Sequence, residues 1–109
     1  MNRRTFIILL TFLSTALLSF AQPKREVRAV WLTTIGGLDW PHSYSQHSQS
    51  MEKQKQELTN ILDKLQKAGI NTVLLQTRVR GTMIYPSEYE PWDGCLSGCP
   101  GKSPGYDAL

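Results

Sequence analysis

The sequence predicts an α/β fold whose unit is strand, helix, strand. Three features carry that expectation: a run rich in β-branched and aromatic residues, an amphipathic stretch closed by glycine, and a short apolar run directly after it. Val73, Leu74 and Leu75 are consecutive apolar residues, the pattern of a strand covered on both faces, whereas a half-exposed strand would alternate apolar with polar. Polar and aromatic groups gather just beyond that run: Arg78, Arg80, Tyr85, Tyr89 and Trp92. In α/β proteins ligands sit at the carboxyl ends of parallel strands, so these side chains are candidates for substrate contact.

Residues Met1 to Ala21 have the organisation of a secretory signal peptide. Arg3 and Arg4 give a positive start, Phe6 to Leu18 an apolar stretch, and Ser19-Phe20-Ala21 small residues at a cleavage position after Ala21. An uncleaved anchor is the alternative, but the strongly apolar part is shorter than the roughly 20 residues a spanning helix needs. The membrane is therefore expected to matter only through the export signal. Export places Cys95 and Cys99 in an oxidising compartment, where they could pair.

Twelve Lys and Arg against nine Asp and Glu give a formal net charge of +3. Without Arg3 and Arg4 the balance falls to ten against nine, which leaves no basis for nucleic-acid binding. Removing residues 1–21 leaves 88 of the 109 residues, enough for a small domain but marginal for burying a core. Gly105-Tyr106-Asp107-Ala108-Leu109 reads as the start of a helix with Asp107 as its cap, and so predicts a truncated chain.

Within the mature part, residues 22–26 are polar and read as a lead-in. Val27 to Thr34 is the first strand, centred on Ala29 to Leu32. Gly36-Gly37 breaks it, and a long loop with Pro41 and many Ser, His and Gln residues follows. Over Met51 to Ala68, Leu58, Ile61, Leu62, Leu65 and Ala68 share one helical face, with acidic residues toward the amino end and Lys64 and Lys67 toward the carboxyl end. Ser48 or Ser50 is expected as cap, without a reciprocal capping box, since neither has Glu or Gln three residues later. Gly69 suits the left-handed position that ends a helix, and Ile70 to Thr77 forms the second strand, parallel and adjacent to the first. After Val79 repeated Gly and Pro predict loop.

Arg78 and Arg80 are two apart, so on an extended chain they point the same way, either toward a sugar or carboxylate or into a structural salt bridge. Trp31, central in a strand, is expected to pack in the core. Trp40 and Trp92, each in a loop beside Pro, suit either packing or stacking on a pyranose ring. Asp39, Glu88, Glu90 and Asp93 are the carboxylates near the expected site, with Glu88 and Glu90 read as solvated. A glycosidase needs two carboxyl groups at a defined separation. His42 and His47 lack a metal-ligand pattern and read as surface residues, so no metal and no cofactor are expected. Cys95 and Cys99 enclose three residues and could close a small loop, while a zinc site would lack its other ligands.

Taken together, Arg28-Ala29-Val30-Trp31-Leu32, Asp39-Trp40-Pro41, Gly69-Ile70-Asn71, Gln76-Thr77-Arg78-Val79-Arg80-Gly81, Tyr85-Pro86-Ser87 with Glu90-Pro91-Trp92, and Gly101-Lys102-Ser103-Pro104-Gly105-Tyr106-Asp107 resemble the amino-terminal blocks of the glycosyl hydrolase-like 10 family. The resemblance implies an exported bacterial (β/α)8 TIM barrel acting on glycan strands of peptidoglycan or another polysaccharide. This chain would be its first strand, first helix, second strand and following loop, inactive alone because the catalytic acids are expected beyond residue 109. Arg78, Arg80, Trp92, Trp40, Asp39 and Tyr85 are the substrate-binding candidates under this reading. A non-catalytic, exported carbohydrate-binding or scaffold barrel is the alternative, because a fold does not establish an activity.

Overall fold

The computed structural model describes residues 1–18 and 25–109, so the cleavage position expected after Ala21 lies outside the described residues. Helix α1 (Arg3–Leu18) covers the apolar stretch Phe6 to Leu18. No helix among the described residues is long and apolar enough to cross a membrane. Strand β1 (Ala29–Leu32), helix α2 (Ser48–Lys67) and strand β2 (Thr72–Leu75) form the expected unit, and the strands pair in parallel from Ala29↔Thr72 to Leu32↔Leu75. Both strands are shorter than expected, but side chains extend the register at each end. The Asn71 amide accepts the Arg28 N–H at 2.8 Å and donates to the Glu26 carbonyl at 2.7 Å, while the Thr34 hydroxyl donates to the Gln76 carbonyl at 2.8 Å.

Helix α2 begins three residues before Met51, with His47 as its N-cap. The Ser50 hydroxyl accepts the backbone N–H groups of Gln46 and His47, so the reciprocal half of a cap is present where Ser, rather than Glu or Gln, supplies it. At the other end Gly69 takes φ +87°, its N–H donates to the Gln66 carbonyl and the Ile70 N–H to the Leu65 carbonyl. Those are the two bonds of a Schellman motif, and they satisfy carbonyls the helix would otherwise leave open.

The stretch after Val79 is more ordered than the expected loop. Strands β3 (Arg78–Val79) and β4 (Thr82–Met83) form a hairpin, and a short helix α3 (Gly94–Ser97) follows. Arg80 and Gly81 occupy the turn at φ +53° and +75°. Positive φ at both central residues is what a two-residue turn matching the strand twist requires. The chain then returns along β4, with the Met83 N–H donating to the Pro91 carbonyl and the Asp93 N–H to the Met83 carbonyl.

The core consists of Trp40, Ile84, Cys95 and Leu96, flanked by Leu58, Ile61, Leu75, Trp92 and Ala108. It lies between α2 and the segments that follow β1 and β4. The apolar face of α2 is covered only in part: Leu58 and Ile61 pack on the core, whereas Leu62 and Ala68 are exposed. Trp31, expected in the core, is 59% exposed opposite Leu74, which is also exposed. Alternation explains the difference, since Leu32 and Leu75 point to the opposite face from Trp31 and Leu74.

One polar residue sits on the buried stripe of α2. Gln54 precedes Leu58 and Ile61 by four and seven residues and is completely buried. Its Nε2 donates to the carbonyls of Ser43 and Leu96, its Oε1 accepts the Tyr106 hydroxyl at 2.6 Å, and its carbonyl accepts Trp40 Nε1–H at 3.0 Å. Replacing Gln54 by Leu would strand the Ser43 carbonyl and the Tyr106 hydroxyl, each worth about 1–3 kcal/mol when unsatisfied, and leave the Leu96 carbonyl with the Ser45 N–H alone. In the full-length protein Gln54→Leu is therefore expected to lower the urea midpoint by the equivalent of about 3 kcal/mol. An unchanged midpoint would show that this amide does not hold the segments together.

Candidate functional site

The loops leaving the carboxyl ends of β1 and β2 enclose a groove of about 750 Å3. Pro41 to Tyr44, Arg80 and Thr82 of the hairpin, and Asp93, Gly98 and Pro100 around α3 line it.

Each of these segments is fixed in place. Asp39 Oδ2 accepts the Thr33 N–H at 2.8 Å and folds the loop back onto the end of β1. Further along, Ser45 donates its N–H to the Leu96 carbonyl at 2.7 Å and its hydroxyl to the Pro104 carbonyl at 2.6 Å. The His42 ring bonds to the Glu57 carboxylate through Nδ1, and its backbone N–H donates to the same carboxylate at 3.2 Å. The hydrogen bond and the negative charge of Glu57 raise the imidazole pKa above its ordinary 6.5.

Asp93 caps α3, accepting the Cys95 N–H at 2.7 Å on Oδ1 and the Thr82 hydroxyl on Oδ2. Burial acts to raise its pKa, but those bonds and the Arg80 charge outweigh it and leave the carboxyl below its ordinary range. Burial, with Asp93 adjacent, pushes the Cys95 thiol up to about 12, so it stays protonated and is a poor nucleophile. The turn places Arg80 beside Asp93 and away from Arg78. Arg78 instead donates Nε to Glu90 Oε2 at 2.7 Å and Nη2 to Oε1 at 2.5 Å, a two-pronged pair that lowers the Glu90 pKa through the Arg78 hydrogen bond.

The sequence-derived candidates therefore separate. Arg80 lines the groove, and Arg78 does not. The two do not share a side as expected of an extended chain, because Arg80 adopts a left-handed turn conformation. Trp40 is wholly buried with its indole N–H bonded, so it packs and has no face left for a sugar. Trp92 is half-buried against the core, Asp39 is engaged by the strand end, and Tyr85 is half-buried where its charge would be felt by Arg78. Glu88 is exposed as expected, but Glu90 is ion-paired rather than freely solvated. Cys95 and Cys99 are free thiols, Cys95 buried and Cys99 exposed, so the suggested small disulfide loop is absent from the structure. Sequence reasoning missed Tyr44 and Thr82. Thr82 was discoverable from the Arg80-Gly81 turn, while nothing local marks Tyr44.

The chain matches the family model described as Glycosyl hydrolase-like 10 over residues 26–109. It belongs to that family. It is similar to glycosyl hydrolase YngK of Bacillus subtilis (strain 168), 42% identical over 105 residues that cover 96% of this chain and 19% of that protein. It is also similar to glycosyl hydrolase DigH of Escherichia coli (strain K12), 38% identical over 92 residues that cover 81% of this chain and 21% of that protein. The chain thus spans about a fifth of the length of these curated relatives. The glycosyl hydrolase-like 10 family is a TIM-barrel one, and the parallel β1–α2–β2 unit is consistent with that α/β architecture.

In this family member the two ion pairs should titrate in opposite senses. Glu90, ordinarily near 4.5, is expected to titrate lower, and its pairing stabilises the fold above the unfolded-state pKa and is lost as pH falls through the folded value. His42, ordinarily 6.5, is expected to titrate higher, and its contribution is full below the unfolded-state pKa and lost as pH rises through the folded value. NMR titration should show both midpoints returning toward their ordinary values in Arg78→Ala and Glu57→Gln, respectively. Midpoints unmoved by those substitutions would refute the pairings.

Proposed function

We propose that this chain is the amino-terminal portion of an exported (β/α)8 glycoside hydrolase acting on glycan strands, peptidoglycan or another polysaccharide. The observation that carries the reading is the family membership combined with a groove at the carboxyl ends of β1 and β2, the end at which TIM-barrel enzymes build their sites. The groove contributes substrate binding, and the catalytic carboxyl groups come from later strands. Supporting that division, a general acid needs a raised pKa, whereas Asp93 and Glu90 are both held low and both have their oxygens engaged. The open face bearing Trp31 and Leu74 suits a sheet whose remaining strands close over it. Arg3, Arg4 and the apolar α1 support export by a cleaved leader.

Two measurements test this reading. Purified full-length protein is expected to cleave solubilised glycan strands, and Arg78→Ala, which frees Glu90 and loosens the segment leading into Trp92, to lower turnover by roughly tenfold with little change in melting temperature. Wild-type turnover in that variant would show that the Arg78–Glu90 pair does not position the site, and binding without cleavage by the wild type would favour a non-catalytic barrel. Separately, mass spectrometry of the envelope or secreted fraction should find a mature terminus at Gln22; an intact Met1 on cytosolic protein would overturn the export assignment.

A further inference from the structure

Tyr44 is the least explained large side chain near the groove. It is 57% exposed, yet its backbone is held on both sides: the preceding carbonyl, of Ser43, accepts Gln54 Nε2, and the following residue, Ser45, is tied by both its N–H and its hydroxyl. Its ring lies directly over Gly98. A Cβ on Gly98 would come within 3.0 Å of Tyr44 Cγ and 3.1 Å of Cδ2, and Gly98 also takes φ +83° as the residue that ends α3. Glycine is thus needed there twice, for the turn and for the ring. One face of the tyrosine rests on bare backbone, and more than half of its surface remains open to solvent at the groove wall.

We propose that Tyr44 is the aromatic platform of a sugar subsite, taking the C–H face of a neutral pyranose while Arg80, which lines the same groove, offers donors to its hydroxyls. This rests on the glycan reading above. The charges around the groove favour a neutral ring over an anionic one, because each cation there has a carboxylate beside it: Arg80 has Asp93, and His42 has Glu57. A fixed aromatic face also loses little conformational entropy on binding, which a mobile exposed side chain would not spare.

The test uses full-length protein and solubilised peptidoglycan glycan strands, with cello-oligosaccharides as a second probe, read as Kd by calorimetry and as KM where the strands are cleaved. Tyr44→Ala is expected to weaken binding roughly tenfold, with kcat little changed, and Tyr44→Phe, which keeps the ring face, to stay within about twofold of wild type. Melting temperatures of both variants should match wild type, because the ring is largely exposed. Wild-type affinity in Tyr44→Ala overturns the platform, as does a Tyr44→Phe variant as weak as Tyr44→Ala, which would put the contact on the hydroxyl. A wild-type protein that neither binds nor cleaves either probe overturns the glycan reading itself, and the platform with it.

Discussion

The fold depends on a single buried amide. The segment Trp40 to Ser45, the short helix α3 and the stretch around Tyr106 are irregular pieces, and irregular backbone carries carbonyls that must find donors once buried. Ser45 supplies two of those donors, to the Leu96 and Pro104 carbonyls. Gln54 adds the tie to the helix, because its two N–H groups diverge toward Ser43 and Leu96 while its oxygen receives Tyr106. A leucine at the same point of the stripe would fill the volume and leave the Ser43 carbonyl and the Tyr106 hydroxyl unpaired, so a polar residue is the stabilising choice at that one position. Helix α2 thereby acts as a rigid post on which three loops are hung, and the groove inherits its shape from the post.

The same economy of groups explains why Asp93 is a structural carboxylate. It begins α3 by accepting the Cys95 N–H, and it closes the hairpin against α3 by accepting the Thr82 hydroxyl. The same Thr82 hydroxyl proton is shared with the Val79 carbonyl across the turn that holds Arg80. Moving the charge of Asp93 would therefore disturb the hairpin, the helix cap and the position of Arg80 together. An ionised, fully engaged carboxylate suits holding a wall in place, and is poorly suited to giving up or receiving protons near neutral pH.

The βαβ unit was legible because its signals are periodic. Leu58, Ile61 and Leu65 repeat with the helical period, Gly69 ends the helix with the bonds such a residue permits, and the strand runs are rich in β-branched residues. Gln54 was not legible, because a polar residue on an apolar stripe looks like a helix edge until the loops it serves are in view. The hairpin was missed since strands of two residues carry no alternation to read, although Arg80-Gly81 marks its turn. Trp40 and Trp92 shared the same local signature, a loop tryptophan beside proline, and only long-range packing distinguishes the wholly buried one from the half-buried one. Of the six substrate-binding candidates, Arg80 alone lines the groove, since spacing fixes direction only on an extended chain and the turn redirected it.

The exposed Trp31 follows from the geometry of a sheet with two faces. Helix α2 and its loops cover the face of Leu32 and Leu75, and nothing among the described residues covers the face of Trp31 and Leu74. Burying the exposed half of two side chains of that size would contribute about 1.5–3 kcal/mol together. That gain lies in contacts made across the sheet and not along the βαβ unit, so it belongs to whatever closes over β1 and β2. In the proposed barrel the closing elements are further strands. Stability and binding would then be coupled through Thr33 and Thr34, which follow the exposed face of β1 and are bonded to Gln76 at the end of β2. These residues fix the spacing of the two strand ends from which the groove walls depart, so closing the sheet also sets the width of the site.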